Sequence, residues 1–130
     1  MTEKLKILVA DDNKLQLAII GDALKSADFE VFTVNNGLEV YQQVRKNQPQ
    51  IILLDIMMPN IDGIEICKTL KTSPETKNIL IIIFSGKKDL DLIDLAYEAG
   101  AQGFILKSNN PQEIVLRIKE IIQEKLPQKS

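Results

Sequence analysis

The chain has 130 residues, of which 45% are hydrophobic and 26% charged, and its formal net charge is −2. This composition is typical of one globular domain, and the slight negative charge argues against a nucleic-acid-binding surface. A single cysteine, Cys67, excludes an intramolecular disulfide. With no histidine in the chain, His-based zinc sites and His general bases are excluded.

Five short apolar runs follow one another along the chain. They are rich in β-branched residues and mostly continuous, which is typical of strands that are covered on both faces. The N-terminus lacks an apolar segment of signal-peptide length, and no apolar run approaches the roughly 20 residues that span a bilayer, so we expect a cytoplasmic protein. The five runs are residues 6–10 (KILVA), 30–34 (EVFTV), 50–55 (QIILLD), 78–85 (NILIIIFS) and 103–107 (GFILK).

The segments between these runs have helical spacing. The first carries Leu17, Ile20 and Leu24, and Asn110, Pro111 and Glu113 are typical of the start of the last helix. That last helix has an apolar face formed by Ile114, Ile118, Ile121 and Ile122. Strict alternation of strands and helices predicts a parallel sheet with helices on both faces.

Ligands of such sheets bind beyond the carboxyl ends of the strands. Polar residues stand at four of the five predicted strand ends: Asp11 and Asp12, then Asp55, Ser85 and Lys107. Each alone has a structural alternative, since an aspartate often caps a helix and a lysine usually faces solvent. Their joint position predicts one shared cleft.

The predicted cleft suits phosphoryl chemistry. Three carboxylates repel one another unless a cation lies among them, and Mg²⁺ is usually held by one or two carboxylates and a phosphoryl oxygen. Lys107 adds a second cation, Ser85 a hydroxyl donor, and a carboxylate can act as nucleophile. The segment VADDNKL after the first strand is not a Gly-rich phosphate loop, which argues against a nucleotide site.

Four segments together resemble the receiver domain of two-component response regulators. They are ILVADDN (7–13), LLDIMMPNIDG (53–63), IIIFSG (81–86) and EAGAQGFILKS (98–108), and the resemblance covers essentially the whole chain. It implies a flavodoxin-like, doubly wound (βα)5 fold: a three-layer α/β sandwich with a parallel five-stranded sheet in strand order 2-1-3-4-5. We place the receiver domain at residues 1–126 and a polar tail at 127–130.

The resemblance assigns roles to the strand-end residues. Asp55 matches the acceptor that takes a phosphoryl group from a histidine kinase or histidine phosphotransfer protein. Asp12 matches the direct Mg²⁺ ligand, Asp11 the carboxylate that acts through water, and the Met57 carbonyl the remaining protein ligand. Lys107 matches the lysine that pairs with the acceptor and then with the phosphoryl group.

The same resemblance implies a switch. Ser85 matches the hydroxyl residue that swings toward the phosphoryl group, and Phe104 the aromatic residue that then turns inward. Pro59 and Gly63 match the turn that shapes the loop after the acceptor. Met57 and Lys87 flank the site, and we expect them to tune the lifetime of the phosphorylated state.

Two positions depart from the family pattern. Ser108 stands where the family usually has proline, often after a cis peptide bond. A cis bond before a non-proline residue costs roughly 2.5–4 kcal/mol, so the alternatives at this bond are a trans peptide or a strained one. Phe104 lacks the hydroxyl of a tyrosine, which predicts a purely steric switch.

The fourth helix, predicted at about residues 89–99, has an unusually wide apolar arc. Leu92, Leu95, Ala96 and Ala99 share one arc, which Leu90, Ile93 and Tyr97 extend. Our hypothesis is that Leu90, Ile93 and Tyr97 form a docking surface for an unknown downstream protein. The alternative is a helix that is more buried than usual.

Other functions remain as alternatives. A phosphohydrolase of haloacid-dehalogenase type typically has a second aspartate two residues after the nucleophile, where this chain has Met57. The chain could also be a receiver from a longer regulator or hybrid kinase, or one that binds partners without phosphorylation. We expect a signalling switch whose only reactions are Mg²⁺-dependent self-phosphorylation and slow autodephosphorylation, monomeric or dimeric on phosphorylation, without direct nucleic-acid or membrane binding.

Overall fold

A computed structural model describes residues 4–58 and 62–125 of the chain. Strands and helices alternate strictly within these residues. Pro59 and the polar tail at 127–130 lie outside the described residues. The elements are β1 (Lys6–Ala10), α1 (Lys14–Ser26), β2 (Glu30–Val34), α2 (Leu38–Asn47), β3 (Ile51–Leu54), α3 (Gly63–Thr72), β4 (Leu80–Ser85), α4 (Leu90–Glu98), β5 (Gly103–Leu106) and α5 (Pro111–Lys125).

The strands form one parallel sheet in the order β2-β1-β3-β4-β5, which confirms the predicted flavodoxin-like topology. β1 and β2 have the predicted bounds, whereas the other three strands are slightly shorter than their apolar runs. The polar residues Asp55 and Lys107 fall just outside their strands because each lies where the chain leaves the sheet. This places both side chains at the carboxyl edge.

Two apolar layers enclose the sheet. α1 and α5 cover one face, and α2, α3 and α4 cover the other. β3 and β4 are buried along their whole length, and so is β1 apart from Lys6, as expected for strands covered on both faces. The prediction fails for β2 and β5, which are partly exposed because the strand order puts them at the two edges.

The predicted apolar faces of the first and last helices are confirmed. Leu17, Ile20 and Leu24 of α1 are buried in the same layer as the isoleucines of α5. The amide oxygen of Asn110 accepts a hydrogen bond from the Glu113 backbone N–H at 2.9 Å, which caps α5 as predicted. None of the described helices is both long and apolar enough to cross a membrane.

The connection from α4 to β5 is held from α3. Gly100 has φ +109°, and a Cβ on it would lie 2.7 Å from Lys71 Cγ, so only glycine suits this position. Lys71 Nζ donates to the Ile79 carbonyl at 2.8 Å and to Gln102 Oε1 at 3.2 Å. Its burial lowers the pKa of Lys71. These contacts fix where β5 begins, and therefore where Lys107 emerges.

Candidate functional site

Four predicted residues converge at the carboxyl edge of the sheet, as the strand-end argument requires. Asp11 follows β1, Asp55 follows β3, Ser85 ends β4 and Lys107 follows β5. The strand pairing continues past the strands: the Asp55 N–H donates to the Ala10 carbonyl at 2.9 Å, and the Lys107 N–H to the Ser85 carbonyl at 2.8 Å. The backbone therefore fixes these side chains next to one another.

The carboxylates form a compact acidic cluster. One carboxylate oxygen from each of Asp11, Asp12 and Asp55 lies within 4.8 Å of the others. Asp11 is fully buried and Asp55 is 2% exposed, whereas Asp12 is exposed to solvent. Charges of one sign at this separation destabilise one another, and burial strengthens the repulsion. The cluster therefore requires a cation.

Lys107 provides part of that compensation. Its Nζ lies 2.8 Å from Asp11 Oδ2 and 2.9 Å from Asp55 Oδ2, so one ammonium bridges carboxylates from two strands. Burial alone would lower the pKa of Lys107, but its contacts with Asp11 and Asp55 outweigh that and raise the pKa above its usual value. Lys107 thus contacts Asp55 directly, while its predicted role toward a phosphoryl group stays a prediction.

Backbone donors fix the second oxygen of each buried carboxylate. Asp11 Oδ1 accepts from the Asn13 N–H at 3.0 Å, and Asp55 Oδ1 accepts from the Met57 N–H at 2.9 Å. Asp11 Oδ2 is buried, and no group in the described part of the chain donates a well-directed hydrogen bond to it. Its only compensation there is the ion pair with Lys107.

The carboxylate oxygens of this cluster fit the ligand preferences of a hard divalent cation. Mg²⁺ prefers oxygen ligands and is commonly held by one or two carboxylates that leave room for water and a phosphoryl oxygen. Asp11, Asp12 and Asp55 each supply one such oxygen, and the three oxygens lie within 4.8 Å of one another. The exposure of Asp12 leaves solvent access to the cluster.

Comparison with known proteins identifies the family to which this site belongs. The sequence model of the response regulator receiver domain matches residues 7–119, which is most of the chain. The chain is a response regulator receiver. Members of this family are phosphorylation-dependent switches of two-component systems, and they exchange signals with kinases or phosphotransfer proteins and downstream targets.

Individual relatives agree with this assignment. The receiver is 31% identical to PhoP, the alkaline phosphatase synthesis transcriptional regulatory protein of Bacillus subtilis, covering 91% of this chain and 48% of that protein. It is 29% identical to the DNA-binding response regulator MtrA of Mycobacterium tuberculosis, covering 91% of this chain and 50% of that protein. The chain therefore spans about half the length of these relatives.

Solved structures share the fold. The BeF3-activated receiver domain of DrrB from Thermotoga maritima is 29% identical, with a TM-score of 0.79 over 92% of this chain and 98% of that one. The chemotaxis response regulator CheY4 of Vibrio cholerae is 23% identical, with a TM-score of 0.85 over 91% of this chain and 98% of that one. The latter likeness concerns the fold alone.

The Ser85 hydroxyl makes no hydrogen bond to the Asp55 carboxylate in this structure of the receiver. Its hydroxyl donates to the Lys87 carbonyl at 2.9 Å and accepts from the Lys87 N–H at 3.3 Å. Phe104 is half-buried and packs against the layer formed with α2, α3 and α4. To reach a group bound at Asp55, the Ser85 hydroxyl must first leave the Lys87 backbone.

The sequence left open whether the peptide bond between Lys107 and Ser108 is trans or strained, and the structure decides between these alternatives. No peptide bond in the described residues is cis, so the bond between Lys107 and Ser108 is trans. The Asn109 N–H donates to the Leu106 carbonyl at 3.3 Å and closes a turn there. The energetic penalty of a non-proline cis bond is thereby avoided.

The apolar surface of α4 differs in one residue from the helical-wheel prediction. Ala96 is buried and Leu92 packs against the core, as expected of the inner arc. Leu90 is 65% and Tyr97 47% exposed, and Ile93 is half-buried. Leu95 was placed with the inner arc, but it is 49% exposed because α4 turns that side toward solvent.

Two further residues were not predicted from the sequence to belong to the site or its surroundings. Phe84 is completely buried, and its ring centroid lies 5.5 Å from Lys107 Nζ. Leu15 lies in the first turn of α1, shortly after Asp11 and Asp12 in the sequence, and is 70% exposed. Two features of the sequence could have indicated them: Phe84 is an aromatic residue in an isoleucine-rich strand, and Leu15 lies outside the i, i+3, i+7 pattern of α1.

The ion pairs of Lys107 predict a specific dependence of stability on pH. Because the folded-state pKa of Lys107 is raised, its contribution to stability is complete below about 10.4, the unfolded value, and is lost as pH rises through the folded pKa. We expect the free energy of unfolding of wild type relative to Lys107→Met to shrink across that interval. Urea titrations in EDTA at pH 8 to 11.5 measure it; a constant difference contradicts the expectation.

Proposed function

We propose that this receiver is an Mg²⁺-dependent switch whose phospho-acceptor is Asp55. The observation that carries the proposal is the Lys107 ammonium, which bridges Asp55 and Asp11 beside the exposed Asp12. Of the three carboxylates, Asp55 comes from the central strand of the sheet, with a metal-binding pair on one side and a lysine on the other. The domain that performs this function extends over residues 1–126.

In the proposed reaction a carboxylate oxygen of Asp55 attacks the phosphorus of a phosphohistidine on a histidine kinase or phosphotransfer protein. An oxygen–phosphorus bond forms, the nitrogen–phosphorus bond breaks, and the imidazole leaves with its electron pair. Lys107 moves its hydrogen bond from Asp55 to a phosphoryl oxygen and so stabilises the charge that develops there. The product is an aspartyl phosphate.

Mg²⁺ would be held by Asp11, Asp12, Asp55 and the Met57 carbonyl. When bound, it neutralises the acidic cluster and the phosphoryl oxygens. The Met57 N–H meanwhile keeps the Asp55 carboxylate oriented, with a hydrogen bond of 2.9 Å to Oδ1. Because the Met57 side chain is 50% exposed beside the acceptor, we assign it, together with Lys87, a role in limiting water access.

Switching then follows from new contacts made by the phosphoryl group. Ser85 exchanges its hydrogen bonds with the Lys87 backbone for one to a phosphoryl oxygen, and Phe104 turns further inward toward the space that Ser85 leaves. A ligand shifts such an equilibrium only through its differential contacts with the two states. The proposed output is a change at the α4 patch, defined here as Leu90, Ile93 and Tyr97, which docks a downstream protein.

The histidine kinase or phosphotransfer protein requires a docking surface other than the α4 patch, because the phosphoryl donor must reach Asp55 directly. Leu15 and Met57 are large apolar side chains, 70% and 50% exposed, on segments that border the cluster. We assign them to donor docking. The receiver would act in the cytoplasm, as a monomer or a phosphorylation-dependent dimer, without contacting nucleic acid or membrane itself.

The role of Ser85 in the switch gives a testable prediction. Beryllofluoride with Mg²⁺, which mimics a phosphoryl group, should shift the backbone amide resonances of Phe104 and of the α4 patch in wild type. In Ser85→Ala it should shift only resonances near Asp55, because the link from the phosphoryl group to Phe104 is cut. Ser26→Ala, at an exposed position on α1, is the matched control. Unchanged α4 shifts in Ser85→Ala contradict the assignment.

The proposed function is tested by intact mass after incubation with acetyl phosphate and Mg²⁺. We expect a gain of one phosphoryl group in wild type, and none when EDTA is present or in Asp55→Asn. The variant should remain folded, because removing one of three clustered negative charges relieves repulsion. No gain in folded wild type would reject the phospho-acceptor and leave a receiver that binds partners without phosphorylation.

A further inference from the structure

The ammonium group of Lys107 has a third neighbour besides its two carboxylates. The ring of Phe84 lies under it, with its centroid 5.5 Å from Nζ. Strand geometry explains the contact. Phe84 pairs with Ile105 across β4 and β5, and Lys107, two residues after Ile105, emerges on the same face of the sheet because strand side chains alternate.

The Phe84 ring is held firmly. It is fully buried in the layer between the sheet and α1 and α5, packed among Leu17, Ile114 and other aliphatic side chains. Its position is therefore set by packing in the apolar core. A ring face carries negative electrostatic potential and attracts a cation within about 6 Å of its centroid, more strongly where water is excluded.

This third contact differs from the two ion pairs in one respect. The contacts of Lys107 with Asp11 and Asp55 weaken when a divalent cation binds those carboxylates, because the metal offsets their negative charge. The contact with Asp55 is also lost when Asp55 is esterified, because the negative charge then lies on the phosphoryl oxygens and no longer on the carboxylate. The ring of Phe84 keeps its potential throughout. It is thus the partner of Lys107 that persists between the free and phosphorylated states.

We propose that Phe84 is a positioning residue for phosphoryl transfer, whose buried ring face holds the Lys107 ammonium at the cleft while its carboxylate partners are neutralised. This inference rests on the proposed function of Asp55 and Lys107. An aliphatic side chain would fill the same core volume without attracting the ammonium. The aromatic residue in the isoleucine-rich strand LIIIFS therefore has a function beyond packing.

The test separates electrostatics from packing. Site-specific replacement of Phe84 by pentafluorophenylalanine keeps the ring shape nearly unchanged and reverses its quadrupole. We expect its initial rate of phosphorylation by acetyl phosphate to fall roughly 5- to 30-fold, a factor set by the strength of a desolvated cation–π contact. The same replacement at Phe29, which is buried in the same layer and directly precedes β2, should leave the rate unchanged.

A second readout reports the contact without any phosphorylation. In wild type, the Cε protons of Lys107 should resonate upfield of those of the exposed Lys119 because of the ring current, and Phe84→Leu should abolish that difference. Absence of the upfield shift overturns the contact. A wild-type rate in the pentafluoro variant overturns the positioning role, since packing alone would then suffice. If wild type shows the upfield shift of the Lys107 Cε protons but takes up no phosphoryl group, the result rejects the proposed function instead.

Discussion

Replacing Lys107 with methionine is expected to slow phosphorylation of Asp55 by acetyl phosphate by about 10²- to 10³-fold, the usual effect of removing one donor to a developing oxyanion. Methionine keeps an apolar stem but leaves Asp11 and Asp55 without their shared cation. Stability should fall by about 1–3 kcal/mol, less than the ~3–5 kcal/mol for fully buried pairs, because the lysine side chain is 19% exposed. Initial rates and urea titrations measure both.

The same variant should bind Mg²⁺ more tightly than wild type. In the proposed site the ammonium and the metal would compete for the Asp11 and Asp55 carboxylates, so removing the unit positive charge of Lys107 is expected to be worth at least about tenfold in affinity. Lys119→Met, at an exposed position on α5, is the matched control and should change neither rate nor affinity. Weaker Mg²⁺ binding in Lys107→Met would show that the lysine does not occupy the metal's ligands.

Gly63→Ala is expected to destabilise the receiver by about 1–3 kcal/mol or more and to slow phosphorylation by about 10- to 100-fold. A Cβ at Gly63 would overlap the backbone of Ile56 and lie 2.9 Å from Ile56 Cβ. Ile56 directly follows Asp55, so relief of the overlap must displace the loop that carries Asp55 and Ile56. Urea denaturation and initial rates of phosphorylation measure the two effects.

Gly86→Ala provides the matched control, because a Cβ at Gly86 meets nothing within 4 Å. Its stability should stay within about 1 kcal/mol of wild type, with a small gain from the reduced flexibility of the unfolded chain. If Gly63→Ala were as stable and as active as Gly86→Ala, α3 would not constrain the loop after the acceptor. The predicted role of Gly63 in shaping that loop would then be wrong.

The sheet and the acidic cluster could be predicted because each follows from local sequence. Continuous β-branched runs predict strands from local sequence alone, and parallel strands bring Asp11, Asp55 and Lys107 to one edge. The exposure of β2 was missed because an apolar run does not reveal whether a strand has one neighbour or two. That property belongs to the assembled sheet.

Other features depend on side-chain conformations that residue spacing does not specify. The Ser85 hydroxyl bonds to the Lys87 backbone because of the conformation of the loop after β4, and Leu95 is exposed because of the rotation of α4 about its axis. The position of Lys107 over Phe84 requires the register between β4 and β5. Each is a contact between elements, which an apolar pattern along one element cannot encode.

The measurement that tests the central claim most directly is the location of the phosphoryl group. Borohydride reduces an aspartyl phosphate to homoserine, so reduction of the protein after incubation with acetyl phosphate and Mg²⁺, followed by peptide mapping, identifies the acceptor. We predict homoserine at position 55 and unmodified aspartate at Asp11 and Asp12. Homoserine at position 11 or 12 would contradict the assignment of Asp55 as the acceptor. A phosphoryl group that is found on Ser85 and is not removed by borohydride would contradict it as well.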